Sequence, residues 1–102
     1  MVFTDEIKDL VAKVPFIPIV TVSDQGEPHP IVVAKGKAKE NDTISFEIYK
    51  MERTRQNIRA NGKMQVLIAT TEGGPKGFRL TGKACIEDKH VLFKAEKAEE
   101  LL

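Results

Sequence analysis

Between residues 17 and 86 the chain runs through a succession of strand-like segments, separated by turn signals and interrupted by one polar helix-like stretch. Residues 17–23 are rich in β-branched side chains. Over residues 43–49, Ile44, Phe46 and Ile48 point one way and Ser45, Glu47 and Tyr49 the other. Residues 63–71 carry Met64 and an apolar run from Val66 to Ala69, which predicts burial on both faces. Phe78, Leu80, Gly82, Ala84 and Ile86 then alternate with Arg79, Thr81, Lys83 and Cys85, and a glycine inside such a strand predicts a bulge or a close backbone approach. Antiparallel strands packed into 102 residues tend to curl and close, because closure removes exposed edges. The pattern therefore predicts a mainly β protein, a small antiparallel barrel with peripheral helices, with an open α+β sandwich as the structural rival.

The punctuation fits. Asp24-Gln25-Gly26-Glu27 is a turn with Gly26 free to take positive φ. Pro28 and Pro30 cannot donate to a ladder, so the strand they introduce, Ile31 to Ala34, starts at a sheet edge. Residues 37–41 are polar, and Asn41-Asp42 is a turn signal. Residues 72–77 form a loop. Residues 4–13 read as a short helix capped by Thr4, with Asp5 and Glu6 suited to the helix dipole. Phe3, Ile7, Leu10 and Val11 share its apolar side, and Val14-Pro15 ends it. Residues 52–61 read as a second helix, stopped by Gly62. Its only large apolar residue is Ile58, so it belongs on the surface. Asp88 is placed to cap a third helix running to Leu102, with Val91, Leu92, Ala95, Ala98 and Leu102 near one side.

Length and composition exclude several classes. One domain, residues 1–102, suits this length. Charged residues make up 30% and the net charge is only +1, so no global basic field points to nucleic acid. The single cysteine, Cys85, precludes an internal disulfide. No apolar run approaches the ~20 residues of a membrane span, and the first residues lack a signal-peptide pattern, so a cytoplasmic location is expected. His29 and His90, the only histidines, lie far apart in sequence with no metal-ligand spacing. Cys85 near Lys83 is read as inert, and Gly73-Gly74 as a turn.

Charge is nevertheless uneven. Residues 35–63 carry Lys35, Lys37, Lys39, Lys50, Arg53, Arg55, Arg59 and Lys63 against Glu40, Asp42, Glu47 and Glu52. Within this stretch a strand ends at Tyr49, Lys50 and Met51 follow, and a polar helix begins. Helix N-termini leave backbone N–H groups free and carry partial positive charge, which suits phosphate. Arg53 and Arg55 add donors that fork onto phosphate oxygens. The Thr54 hydroxyl either caps the helix or donates to such a ligand. Glu52 opposes an anion unless it points away. The plain alternative is a solvated basic face with Thr54 as an N-cap.

Three segments, in order and at nearly the right spacing, resemble the FMN-binding split barrels related to pyridoxamine 5′-phosphate oxidase. They are Gly26-Glu27-Pro28-His29-Pro30-Ile31-Val32-Val33 with Thr43-Ile44-Ser45-Phe46-Glu47-Ile48; the run from Glu52 through Asn57-Ile58 to Met64; and Gly77-Phe78-Arg79-Leu80-Thr81-Gly82-Lys83-Ala84. The resemblance covers residues 17–86 and implies a homodimer with FMN at the subunit boundary. It implies that Arg53 and Thr54 hold the FMN phosphate, and that Val33, Ala34 and Lys35 run beside the flavin. Ile48, Tyr49, Lys50 and Met51 would line the ring and ribityl chain, with Gln56 a further candidate. Val32, Val33 and Ala34 replace polar or aromatic contacts of several relatives, so those contacts would come from backbone or from the other subunit. Relatives often continue into a further strand that finishes the dimer site, where the segment after Asp88 here reads as a helix.

The implied function is an FMN-binding flavoprotein, an oxidoreductase or electron carrier whose substrate and electron partners the sequence does not name. No catalytic side chain is assigned, because flavin hydride or electron transfer can proceed without one. The alternatives are the same barrel binding deazaflavin F420 or haem, and a small barrel binding single-stranded nucleic acid. The last is disfavoured by aromatic content of 6%, with no Trp and Tyr49 the one Tyr, since stacking platforms need exposed aromatics.

Overall fold

The computed structural model describes residues 1–101. Helix α1 (Asp5–Lys13) is capped by Thr4, whose side chain accepts a hydrogen bond from the Ile7 N–H. Strands β1 (Ile17–Val22), β2 (Pro28–Val33), β3 (Gly36–Lys39) and β4 (Thr43–Glu47) follow, then helix α2 (Glu52–Asn61) and strands β5 (Lys63–Thr70), β6 (Lys76–Glu87) and β7 (His90–Glu100). The strands form one antiparallel sheet in the order β2-β1-β5-β6-β7-β4-β3.

The two edge strands, β2 and β3, are consecutive in the chain and joined only by Ala34 and Lys35. A sheet whose opposite edges share so short a link has to curl until those edges approach, and the right-handed twist of strands favours the curl. The edges are not hydrogen-bonded to one another, so the barrel stays split along the line between them. Gly36 stands at that corner. A Cβ there would lie 2.8 Å from the Phe46 ring and 2.9 Å from Ile44, so only glycine lets β3 pass so close to the core.

Inward-facing residues fill the interior: Ile17 and Ile19 of β1, Ile44 and Phe46 of β4, Met64, Val66 and Ile68 of β5, Leu80 of β6, and Val91 and Phe93 of β7. Helix α1 adds Ile7, Leu10 and Val11 and packs on β3 and β5, acting as a lid on the sheet. Gly62 ends α2 at φ +73°, as expected of a C-terminal glycine. Gly82 marks a register break between β6 and β7, where an added Cβ would overlap the Lys94 carbonyl oxygen.

Several expectations are corrected. The segment after Asp88 is not a helix but β7, a long strand between β6 and β4. Val91, Phe93 and Ala95 are buried in alternation with Leu92, Lys94 and Glu96, a period of two. Asp88, at φ +57°, turns the chain so that Glu87 faces His90. Its Ala, Glu and Lys residues favour a helix locally, but two neighbouring ladders outweigh that preference. Leu102 lies outside the described residues. β3 is a strand that the polar character of residues 37–41 concealed. In β5 the second face is only half-buried, at Gln65 and Leu67. Ser45, on the side of β4 opposite Ile44 and Phe46, is buried as well.

Candidate functional site

A groove of about 1280 Å³ opens along the split of the barrel. Its floor and walls come from the linked edges, with Val33, Ala34, Lys35 and Lys37 from β2, β3 and their connection, and Ser45 and Glu47 from β4. Tyr49, Met51 and Glu52 close one end, and Phe16, before β1, stands at the rim. The apolar surface is unusually bare. Phe16, Val32 and Tyr49 are 63%, 61% and 77% exposed, and all three line the groove. Lys35, Lys37 and Lys39 face two carboxylates, Glu47 and Glu52, so the walls are both apolar and net cationic.

The N-terminus of α2 reaches this groove through Met51 and Glu52. Met51 occupies the N-cap position in the left-handed region, φ +58°, and no side chain caps the helix. The first-turn N–H groups are therefore left without a side-chain acceptor. Thr54 does not cap the helix. It is the third helical residue, wholly buried, and its Oγ1 has no partner; Arg55 Nε, next to it, is buried and unpartnered as well. Buried polar atoms are nearly always satisfied; these two stand in the first turn of α2, and Thr81 Oγ1 of β6 is a third without a partner.

Two interior hydrogen bonds fix this helix. Asn57 Nδ2 donates to Thr21 Oγ1 at 3.0 Å, and Asn61 Nδ2 donates to the Val22 carbonyl at 2.9 Å. Asn57 and Asn61 lie one turn apart and tie the polar helix to β1. That anchoring, together with the buried Ile58, seats α2 against the sheet.

Of the residues singled out from sequence, the structure brings Val33, Ala34, Lys35, Tyr49 and Met51 together on the groove wall. Ile48, Lys50, Arg53, Thr54 and Gln56 are not on that wall. Lys50 lies 5.6 Å from the centre of the Tyr49 ring, Arg53 and Gln56 are exposed, and Ile48 packs against the core. Sequence reasoning missed Phe16, Lys37, Lys39 and both histidines as wall residues. His29 and His90, distant in sequence, line the same groove, because β2 and the β6–β7 turn converge on the split. A strand order with β2 and β3 at opposite edges was the signal needed to find them.

Residues 3–100 match the family model described as pyridoxamine 5′-phosphate oxidase. The chain belongs to that family. No curated protein matches it in sequence. Among solved structures it is similar to HupZ of Group A Streptococcus, at 23% identity over 97% of this chain and 94% of that one, with a TM-score of 0.84. It is similar to an FMN-binding protein from Syntrophomonas wolfei subsp. wolfei, at 16% identity over 93% and 83%, with a TM-score of 0.78. It is also similar to HutZ, the haem storage protein from Vibrio cholerae, at 14% identity over 97% and 92%, with a TM-score of 0.68. At these identities the likeness is one of fold: the pyridoxamine 5′-phosphate oxidase family's split barrel is shared, and ligands vary among its members. Among the described residues no helix is long and apolar enough to cross a membrane, and no cluster of three or more His, Cys, Asp or Glu is placed to hold a metal ion.

Proposed function

We propose that the groove holds FMN and that the protein works as a flavin-dependent oxidoreductase or electron carrier. The observation that carries this reading is the meeting of apolar walls with an uncapped helix N-terminus in one groove. Val33, Ala34, Met51 and Phe16 offer a surface for a flat heterocycle, and Tyr49 an aromatic edge. Lys35 supplies a cation beside the ring. The α2 N-terminus, with Arg53 in its first turn and with Thr54 Oγ1 and Arg55 Nε lacking acceptors, suits the phosphate end. Glu52 works against this placement and has to turn away from the anion. FMN, when bound, supplies hydride or electron transfer; the protein binds, orients and shields it.

The groove exceeds the ~300–1,000 Å³ of ordinary small-molecule sites, and its rim is exposed and apolar. Contiguous exposed apolar surface marks an interaction site. We therefore also propose a homodimer in which a second copy covers Phe16, Val32 and Tyr49 and narrows the groove around the flavin. The FMN-binding protein from Syntrophomonas wolfei, of the same fold, supports the choice of ligand.

A second reading, haem, has two observations in its favour: both histidines line the groove, and HutZ, a haem storage protein, shares the fold. An absorption spectrum of the native protein, followed by FMN and haem titrations, separates the two. Flavin bands and saturable FMN binding support the first reading. A Soret band lost in His29→Ala or His90→Ala, with no FMN binding, supports the second.

A further inference from the structure

We infer that a row of lysines on the outer face of the sheet is a docking strip for a partner protein with an acidic surface; the inference does not depend on what the groove holds. Strand register sets Lys39 of β3 opposite Thr43 of β4, Thr43 opposite Lys94 of β7, Lys94 opposite Lys83 of β6, and Lys83 opposite Lys63 of β5. Directly opposite residues share a face, so four lysines and one threonine form a single line across five neighbouring strands. At ~4.8 Å per strand the line is about 19 Å long. The residues beside them in the chain, Ile44, Met64, Ala84 and Phe93, are buried, and all four lysines are exposed. The ion pairs among the described residues are Lys76–Glu6, Arg79–Glu99 and Lys97–Glu99, and none involves the row. The flanking lines add no carboxylate: Lys37, Ser45, Leu92 and Cys85 lie on one side, Gln65, Thr81 and Lys97 on the other. Asp42 stands at the margin near Lys94, but its carboxylate accepts the Phe3 N–H. Glu96, also at the margin, is the residue that the bulge leaves unpaired.

Like charges directly opposite one another in a sheet destabilise it. Neighbouring positions ~5 Å apart also lie inside the ~8 Å Debye length of physiological salt, so they are not screened from one another. Lys83 meets this repulsion from both sides. An anionic surface laid along the row removes it. The type of partner follows from what the strip contains. The exposed large apolar residues Phe16, Val32 and Tyr49 lie outside the row and its flanks, so it offers single-stranded nucleic acid no stacking platform and a bilayer no apolar anchor. It carries no arginine to fork onto phosphate. Lysine point charges around half-buried Leu92 and Gln65 suit the carboxylates of another protein, where complementary charge steers the encounter. Lys39 belongs to both the row and the groove wall, so a protein seated on the strip lies beside the groove mouth.

The test uses fluorescein-labelled poly-L-glutamate as the acidic chain and reads its anisotropy at low salt. Wild type is expected to bind it, and added salt to release it. Lys63→Gln/Lys83→Gln should bind about fivefold more weakly, since each exposed pair is worth a few-fold. Neither residue lines the groove. Lys13→Gln/Lys89→Gln removes the same charge from exposed positions outside the row and should bind as wild type does. Without the probe, Lys83→Gln should unfold at higher urea than wild type, because it takes out the charge repelled from both sides. Loss of binding with gain of stability is the signature of a surface kept for a partner. No binding by wild type overturns the strip, as does an equal loss in the two double variants or a lower urea midpoint for Lys83→Gln. A labelled oligothymidylate that binds more tightly than poly-L-glutamate, and is lost in Lys63→Gln/Lys83→Gln, overturns the acidic protein in favour of nucleic acid.

Discussion

The amide of Asn57 on α2 donates to the hydroxyl of Thr21 on β1 across 3.0 Å of protein interior, and both side chains are buried. A polar pair in this position fixes both the rotation and the height of α2, and so the approach of its N-terminus to the groove. Removing one member strands the other. Asn57→Ala and Thr21→Val are each expected to cost about 1–3 kcal/mol in urea unfolding. The double variant Asn57→Ala/Thr21→Val should cost less than the sum of the singles, because it leaves neither member of the pair facing a lost partner. Additive losses would show that the pair contributes no coupling.

Gly82 is a second point where the backbone admits one residue type. A Cβ there would overlap the Lys94 carbonyl oxygen and lie 2.9 Å from the Ala95 Cα. The obstacle is backbone, so no rotamer change relieves it. Gly82→Ala is expected to lower stability by at least ~1–3 kcal/mol, read as a reduced urea midpoint. Gly26→Ala is the informative contrast: nothing lies within 4 Å of its added Cβ, so only its positive φ, +83°, is penalised.

Asp42 ties the start of the chain to the β3–β4 turn. Its Oδ1 accepts the Phe3 N–H at 2.8 Å. That hydrogen bond, then one from the Val2 N–H, with Lys94 adding to them, holds the carboxyl below its ordinary range. A depressed folded-state pKa contributes stability that is complete above the unfolded value of about 3.9 and disappears as pH falls through the folded value. Asp42→Asn keeps an acceptor and tolerates the same positive φ but loses the charge. Its thermal midpoint should fall below that of wild type at neutral pH, and the gap should close in acid, below the unfolded pKa. A gap that stays constant with pH would remove the carboxylate charge from the account.

Much of the barrel was legible because alternation is a local signal. Ile44 and Phe46, or Leu80 and Ala84, announce their strand face from two-residue spacing alone, and Pro28 with Pro30 announces an edge. β7 was illegible for the same reason: Val91, Leu92, Ala95 and Ala98 satisfy a helical stripe as well as Val91, Phe93 and Ala95 satisfy a strand, and only the ladders to β4 and β6 decide. The site was legible where it coincides with a chain segment, as at Val33, Ala34 and Lys35. It was illegible where the curl of the sheet makes it. Phe16, His29 and His90 meet at the split because β2 and β3 are opposite edges joined by two residues, Ala34 and Lys35, a relation that no spacing encodes.

The phosphate end of the proposed site gives the sharpest test of how the ligand lies. Arg53 is exposed in the first turn of α2 and does not line the groove wall, so it touches FMN only through a group that projects toward the helix. A charged hydrogen bond of that kind is worth about 1.5–3 kcal/mol. Arg53→Ala should weaken FMN binding by roughly that amount, more at low salt than at high, while riboflavin, which lacks the phosphate, should bind wild type and variant equally. Lys35→Ala, by contrast, should weaken both ligands, since Lys35 lies on the wall proposed to face the ring. Paired titrations with FMN and riboflavin measure each difference directly. If Arg53→Ala lowers the affinity for riboflavin as much as for FMN, Arg53 does not hold the phosphate and the helix N-terminus loses its part in the proposal.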